Sequence, residues 1–169
     1  MKINKSTKNK IKRNVYFILF ILVLYLIRYL YIQYNKSPIS PYDYTTKYKV
    51  RFRYIYDGDT AAFFDEQGNE IDCRFIGVDA PEIDQPGYEE AKAFSNNTLR
   101  NAFEIILELD PHSTNHDKYG RILAWVWVDG NLLQEKLVEN NLVSIRYLED
   151  NYLYASHLYK IYNEKNVTK

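Results

Sequence analysis

The amino-acid sequence predicts an α+β fold, a small β-barrel closed by helices, preceded by an N-terminal membrane helix. Residues 15–27 form an uncharged apolar run behind a basic N-terminus. The body of about 120 residues that follows shows three strand patterns, a helix pattern, two strand patterns and two helix patterns. This order is neither an alternating βα pattern nor a helix bundle. Closure into a barrel would leave no exposed sheet edge.

The N-terminal segment has the composition of a membrane-spanning helix. Residues 1–13 carry six basic and no acidic side chains, and a helix over 14–34 would be about 30 Å long, enough to cross a bilayer core. Arg28 lies near one end, where its side chain can reach the headgroups. We therefore expect a single-pass cell-membrane protein with the C-terminal domain outside. Cleavage as a signal peptide, with secretion, is the alternative, although no small-x-small site follows the run.

The predicted organisation is a basic cytoplasmic tail (1–13), a transmembrane signal anchor (14–34), a tether (35–47), a folded domain (48–163) and a tail (164–169). The tether contains Pro38 and Pro41 and has no apolar periodicity. From Asp43 onward the chain carries 14 Lys and Arg against 22 Asp and Glu, a net charge of −8. Such an acidic body argues against tight, bulk-electrostatic DNA binding, so any nucleic-acid contact must be local or bridged by a cation. The single cysteine, Cys73, rules out an intramolecular disulfide.

The elements of the body follow from hydrophobic periodicity. Strands are predicted over 49–56, 61–64, 70–76, 105–109 and 122–128, and helices over 89–103, 132–140 and 152–163. In the first strand, Val50 and Phe52 alternate with Arg51 and Arg53. Between the second and third strands, residues 65–69 predict a hairpin loop with Gly68 in a left-handed conformation.

Carboxylates cluster where the predicted strands end. Asp57 and Asp59 flank Gly58 after the first strand, where the glycine allows a sharp turn, and Asp79 follows the third strand. These hard oxygen ligands suit Ca²⁺ or Mg²⁺ rather than zinc. An ordinary Asp-Gly turn is the alternative interpretation for Asp57.

Two arginines, Arg74 and Arg121, lie on different strands or strand edges. If they converge on one oxyanion they suit phosphoryl transfer, because each can bind it bidentately and offset developing charge. Surface salt bridges are the alternative. Tyr119 and Tyr147 stand beside basic residues, an arrangement that can stack on bases and hold phosphates. Core or rim tyrosines are the alternative there.

Two histidines, His112 and His116, have helical spacing, but Pro111 and the polar run 113–115 indicate a loop, which argues against a zinc site.

Three stretches together resemble the thermonuclease family, the staphylococcal-nuclease-like domains. They are Ile-Tyr-Asp-Gly-Asp-Thr at 55–60, Arg-Phe-Ile-Gly-Val-Asp-Ala-Pro-Glu at 74–82, and Asp-Lys-Tyr-Gly-Arg at 117–121. They occur in the family's order, and the resemblance covers residues 48–147. It implies a five-stranded OB-type β-barrel with three helices, and Ca²⁺-dependent hydrolysis of DNA and RNA.

The resemblance also implies roles for individual residues. Asp59 and Asp79 would be the carboxylate ligands of the metal, the carbonyl of Ala80 a third ligand, and Asp57 a support beside them. The implied catalytic residues are Arg74 and Arg121, which would grip the scissile phosphate, and Glu82, which would orient or deprotonate the attacking water. The implied substrate contacts are Lys118 and Tyr119 at a phosphate and Tyr147 near a base.

The sequence as a whole therefore predicts a membrane-anchored, outward-facing, calcium-dependent nuclease whose substrate is DNA, RNA or both. No protein partner is implied. The alternative is a catalytically silent OB-type binding module tethered to the membrane. The presence of all five charged groups implied in catalysis and metal binding favours the nuclease. A membrane-anchored interaction protein with an aromatic surface would explain the anchor but not the three motifs.

Overall fold

The computed structural model describes residues 5–34 and 47–167, in two units divided after Lys36. The described residues of the N-terminal unit form one helix, α1 (Lys5–Tyr34). Its segment Asn14–Tyr31 has a mean hydropathy of 1.8 and is long and apolar enough to cross a membrane, a property that signal sequences share. The predicted tether lies outside the described residues except for Lys47, as do the first four residues of the basic tail and the last two residues of the chain.

The C-terminal unit begins with four strands and a helix. They are β1 (Lys47–Ile55), β2 (Thr60–Phe64), β3 (Glu70–Phe75), β4 (Val78–Asp79) and α2 (Tyr88–Arg100). The second half contains β5 (Ile105–Glu108), β6 (Ile122–Val128), β7 (Asn131–Leu132), α3 (Leu133–Glu139), β8 (Ser144–Ile145) and α4 (Ala155–Val167). All five predicted strands and all three predicted helices of the body are present. Gly68 has the predicted left-handed backbone, with φ of 89°.

Five strands close into a barrel. Antiparallel pairing joins β3 to β2, β2 to β1, β1 to β5 and β5 to β6, and a parallel pairing of β3 with β6 completes the ring. This confirms the predicted five-stranded OB-type barrel with three helices. The closing register places Arg74 opposite Leu123. Arg74, near the end of β3, therefore lies beside the first residues of β6, which directly follow Arg121.

The core contains two tryptophans that the structure pairs with buried carboxylates. Trp125 donates its indole N–H to Asp110 at 2.8 Å, and Trp127 donates its own to Glu108 at 2.6 Å. The hydroxyl of Tyr154, which precedes α4, donates to the same Glu108 at 2.9 Å. A buried carboxylate is costly unless it is hydrogen-bonded, so these donors explain how two acids lie in the core. Burial, with Glu108 adding to it, raises the pKa of Tyr154.

The boundaries of all three helices of the body differ from the prediction. Helix α2 ends at Arg100, three residues before the predicted end. Helix α3 begins at Leu133 because Leu132 pairs with Trp127 as part of β7. Helix α4 begins at Ala155 rather than at Tyr152, because a turn that bonds the Tyr152 N–H to the Glu149 carbonyl precedes it, and it continues to Val167. The two-residue strands β4, β7 and β8 were not predicted, because a strand of that length has no periodicity.

Candidate active site

One cleft of about 640 Å³ in the C-terminal unit gathers most of the predicted site residues. Nine of the ten line it: Asp57, Asp59, Arg74, Asp79, Glu82, Lys118, Tyr119, Arg121 and Tyr147. Ala80 does not line the cleft; it is buried and contributes a backbone N–H to the site. Residues 55–60, 74–82 and 117–121, far apart in sequence, thus meet on one concave surface.

The turn after β1 is built so that Asp59 points inward. Asp57 accepts the backbone N–H of Asp59 at 3.0 Å, which fixes the turn. A Cβ at Gly58 would lie 2.7 Å from the Cβ atoms of both Ala80 and Ala91, so the position needs glycine for close packing. The chain does turn sharply here, with the N–H of Tyr56 donating to the Thr60 carbonyl at 2.9 Å, but Gly58 does not take the left-handed backbone that favours glycine. The hydroxyl of Ser95 on α2 donates to the Gly58 carbonyl at 2.6 Å and ties the turn to the helix.

The carboxylate of Asp59 is only 5% exposed and accepts from three directions. Oδ2 accepts the backbone N–H of Ala80 at 2.5 Å, and Oδ1 accepts the Thr60 hydroxyl at 3.0 Å. Oδ1 also lies 3.2 Å from Nε of Arg74. Burial raises the pKa of Asp59 to about 7; Arg74 opposes this rise and the nearby Asp57 adds to it. A cation bound here would favour the ionised form.

Arg74 is held rigidly at the end of β3. Its guanidinium donates to the carbonyls of Phe75 at 2.9 Å and Val78 at 2.6 Å, and to Oδ1 of Asp79 at 3.0 Å. The side chain is 14% exposed. The other oxygen of Asp79 is paired with Arg146, whose Nη1 lies 2.9 Å from Oδ2. Asp79 therefore lies between two guanidiniums.

The Asp117–Arg121 stretch is a self-contained turn that orients Arg121. Oδ1 of Asp117 accepts the backbone N–H groups of Tyr119 at 2.8 Å and Arg121 at 3.0 Å, and Gly120 takes the left-handed φ of 83°. Oδ2 of Asp117 accepts from Nε of Arg121 at 2.7 Å. Burial alone would raise the pKa of Asp117, but the hydrogen bonds from Arg121 and the backbone outweigh it, so that pKa is lowered.

Thr60 connects the contacts made by Arg74 with those made by Arg121. Its hydroxyl donates to Asp59 and accepts from Nη1 of Arg121 at 3.4 Å, a long and weak bond. A continuous chain of polar contacts therefore runs through the cleft wall, from Asp117 through Arg121, Thr60, Asp59, Arg74 and Asp79 to Arg146. Sequence analysis did not identify Asp117, Thr60 or Arg146 as site residues. The one sequence signal, for Asp117, was its position four residues before Arg121 with Gly120 between them, which is compatible with a turn that pairs the two side chains.

Glu82 differs from the other acids of the cleft, because within residues 47–167 its carboxylate has no hydrogen-bond or ion-pair partner. Its hydrogen bonds are made by the backbone: the N–H donates to the side-chain oxygen of Gln85 at 3.0 Å, and the carbonyl accepts the Gln85 N–H at 2.9 Å. An exposed carboxylate with free lone pairs can accept a proton from water.

Three exposed residues form the rim of the cleft. Tyr119 is 71% and Tyr147 is 74% exposed. The ammonium of Lys118 lies 4.9 Å from the ring centre of Tyr119, and the guanidinium of Arg146 lies 5.2 Å from that of Tyr147. Aromatic faces beside cations suit a nucleic-acid strand, which presents bases and phosphates in alternation.

The chemistry of the cleft suits a hard cation. Asp59 and Asp79 offer carboxylate oxygens, and no Cys or His is among the described residues that line the cleft. His112 and His116 lie in the loop before β6, as predicted. Across residues 5–34 and 47–167, no three His, Cys, Asp or Glu side chains lie close enough to form a metal cage on their own. A cation would thus rely on two carboxylates together with backbone oxygen and water, which is compatible with calcium.

Comparison with protein-family models matches residues 72–166 to the family described as staphylococcal nuclease homologue. The chain belongs to this family. The matched span contains Arg74, Asp79, Glu82 and Arg121 and begins after Asp59, so the place of Asp59 in the site depends on the geometry described above.

The relatives of this staphylococcal nuclease family member include proteins named thermonuclease and endonuclease. The thermonuclease of Staphylococcus hyicus is 34% identical over 110 residues, covering 62% of this chain and 63% of that protein. Endonuclease YncB of Bacillus subtilis (strain 168) is 36% identical over 97 residues, covering 54% of this chain and 45% of that protein. The chain thus spans less than two thirds of either relative's length.

Proposed function

We propose that this family member is a calcium-dependent nuclease that hydrolyses phosphodiester bonds of DNA, RNA or both. The observation that carries the proposal is the cleft that holds two arginines and two aspartates, linked by polar contacts, together with Glu82, whose carboxylate has no partner within residues 47–167. The names of the relatives, thermonuclease and endonuclease, support the same reaction class.

Asp59 and Asp79, which line the cleft, would hold the cation; the carbonyl of Ala80, which does not line it, is the third ligand that the family resemblance implies. When bound, calcium would neutralise phosphate charge and act as a Lewis acid at a phosphoryl oxygen. The two arginines contribute differently. Arg74 is fixed by four acceptors and supplies a positive charge that needs no reorganisation. Arg121 is anchored through Nε, and its Nη2 has no partner within the described C-terminal unit, so this edge is available to a phosphate oxygen.

We assign Glu82 the role of general base, which accepts the proton of the attacking water. Its carboxylate is accessible and forms no ion pair within residues 47–167, so it is not committed to a structural contact. General-base catalysis of this kind is worth about 10²–10⁴ in rate. Lys118 and Tyr119 would hold a flanking phosphate, and Tyr147 would stack on a base.

The nuclease would act outside the cell. Helix α1 contains an apolar segment long enough to serve as an anchor, and the basic residues before it favour an inside N-terminus. Residues 35–47 would then be a tether and residues 48–163 an exported domain. The extracellular calcium concentration, about 1 mM, would fill even a weak site.

The test is hydrolysis of labelled single-stranded DNA and RNA by the full-length chain in detergent, with calcium or with EGTA. We expect cleavage that requires calcium and that falls about 10²–10³-fold in Arg121→Ala. Arg100→Ala is the matched control, because Arg100 is an exposed arginine outside the cleft. Binding without cleavage would favour the silent binding module. Equal activity in Arg121→Ala and the wild type would refute the mechanism.

A further inference from the structure

Two arginines, Arg74 and Arg146, bond to the carboxylate of Asp79, and they differ in how many other contacts fix their side chains. Arg74 is 14% exposed and bonds to two backbone carbonyls and two carboxylates. Arg146 is 59% exposed, and its only hydrogen bond to another side chain in the described C-terminal unit is to Oδ2 of Asp79 at 2.9 Å. Oδ1 of Asp79 is therefore bonded to a well-anchored arginine, whereas Oδ2 is bonded to a long, exposed side chain that can move into solvent.

The backbone of Arg146 is fixed beside the segment that carries Asp79. Strand β8 pairs with β4 so that Asp79 lies across from Ser144, and the N–H of Arg146 donates to the carbonyl of Gly77 at 3.1 Å. The next residue, Tyr147, has a left-handed backbone with φ of 55°, and its ring lies 5.2 Å from the Arg146 guanidinium. In this one position the Arg146 guanidinium both bonds to Asp79 and lies over the ring of Tyr147. Because the side chain is 59% exposed and its backbone is fixed, it can leave Asp79 by rotation of its own side chain alone.

We propose that Arg146 competes with the cation for Asp79 and thereby sets the calcium affinity of the site. The inference rests on the proposed function, because it takes Asp79 as a calcium ligand. A carboxylate oxygen that accepts from a guanidinium has less electron density for a metal ion, and the guanidinium repels a divalent charge beside it. Binding of calcium must therefore displace Arg146, and the cost of displacement weakens binding. The site would fill only where calcium is abundant, as outside a cell.

Loss of any positive charge from the cleft would strengthen calcium binding slightly, so the test needs a charge-matched control. Lys118 provides it, because it lines the same cleft and its described contact is with the ring of Tyr119, not with a carboxylate. Direct competition predicts a large effect for Arg146 and a small one for Lys118. A diffuse charge effect predicts similar changes for both.

The experiment is calorimetric titration of calcium into the full-length chain in detergent, without nucleic acid. We expect Arg146→Ala to lower the calcium Kd about fivefold or more, and Lys118→Ala to change it less than about twofold. Arg146→Lys, which keeps the charge but lacks the planar fork, should fall between the wild type and Arg146→Ala.

The outcomes separate this inference from the proposed function. Calcium binding of equal strength in the wild type and Arg146→Ala, or equal gains in Arg146→Ala and Lys118→Ala, would overturn the competition and leave the calcium site standing. Binding by Arg146→Ala but not by the wild type would support it in its strongest form. No calcium binding by any variant would remove the calcium site itself, and the competition with it.

Discussion

The substitution Asp117→Asn tests whether the turn before β6 orients the side chain of Arg121. The substitution keeps an oxygen that can accept the backbone N–H groups of Tyr119 and Arg121, but it removes the carboxylate oxygen that lies 2.7 Å from Nε of Arg121. A hydrogen bond between charged groups is worth about 1.5–3 kcal/mol. The two side chains are 16% and 29% exposed, so we reduce this to about 1–2 kcal/mol for screening. A thermal midpoint lower by about 5 °C should follow.

The effect of Asp117→Asn on rate should exceed its effect on stability. A misplacement of about 1 Å can cost about 10² in rate, so we expect kcat to fall about 10- to 100-fold with little change in KM. The control is Asp65→Asn, because Asp65 also organises a turn, by accepting from Asn69, but lies outside the cleft. Kinetics on a single-stranded oligonucleotide and thermal unfolding at pH 7.5 measure both quantities. Wild-type kcat in Asp117→Asn would refute the positioning role.

The pH dependence of the same pair has a defined sign. The folded pKa of Asp117 is lowered, so its stabilisation is present above the unfolded pKa of about 3.9 and is lost as pH falls through the folded pKa. The difference in thermal midpoint between the wild type and Asp117→Asn should therefore be full at pH 7 and shrink below about pH 4. A constant difference across that range would mean that the ion pair with Arg121 is not its source.

Three further predictions concern the buried acid, the close-packed turn and sidedness. Burial raises the pKa of Asp59 to about 7, so without calcium the folded state loses stability as pH rises from the unfolded pKa of about 4 to about 7. The thermal midpoint of Asp59→Asn relative to wild type should therefore rise between about pH 4 and pH 7 and level off above about pH 7, and a flat difference across that window would contradict this. Gly58→Ala should lower the unfolding free energy by about 1–3 kcal/mol, because its methyl group would meet Ala80 and Ala91 at 2.7 Å; an unchanged midpoint in chemical denaturation would show that the turn has room. Intact cells expressing the full chain should degrade added oligonucleotide and stop when EGTA is added; activity released only on lysis would contradict the outward orientation.

The parts of the fold that the sequence predicted depend on local signals. Alternation in β1, the glycine at position 68 and the charged residues after each strand each have a short-range physical cause. Placing Asp59, Arg74 and Arg121 together needed more, because each lies on a different segment. Only the three motifs taken together, through the family resemblance, predicted that they would meet.

The contacts that sequence reasoning missed depend on register between distant strands. The pairing of Asp79 with Arg146 follows from the two-residue strands β4 and β8, which are too short to show a pattern. The bridge from Thr60 to Arg121 follows from the parallel closure of the barrel, which sets β3 beside β6. The indole bonds of Trp127 to Glu108 and of Trp125 to Asp110 place two acids in the core, where hydrophobicity alone would not put them.

The most direct test of the proposed chemistry compares Glu82→Gln with Glu89→Gln. Both remove one exposed carboxylate, but Glu82 lines the cleft and Glu89 lies in the first turn of α2, outside it. Because Glu82 has no side-chain partner within residues 47–167, its loss should leave the thermal midpoint unchanged. We predict that, in saturating calcium, Glu82→Gln hydrolyses a single-stranded oligonucleotide about 10²–10⁴-fold more slowly than wild type and that Glu89→Gln matches wild type. Wild-type rates in both variants would contradict the assignment of the cleft as the active site.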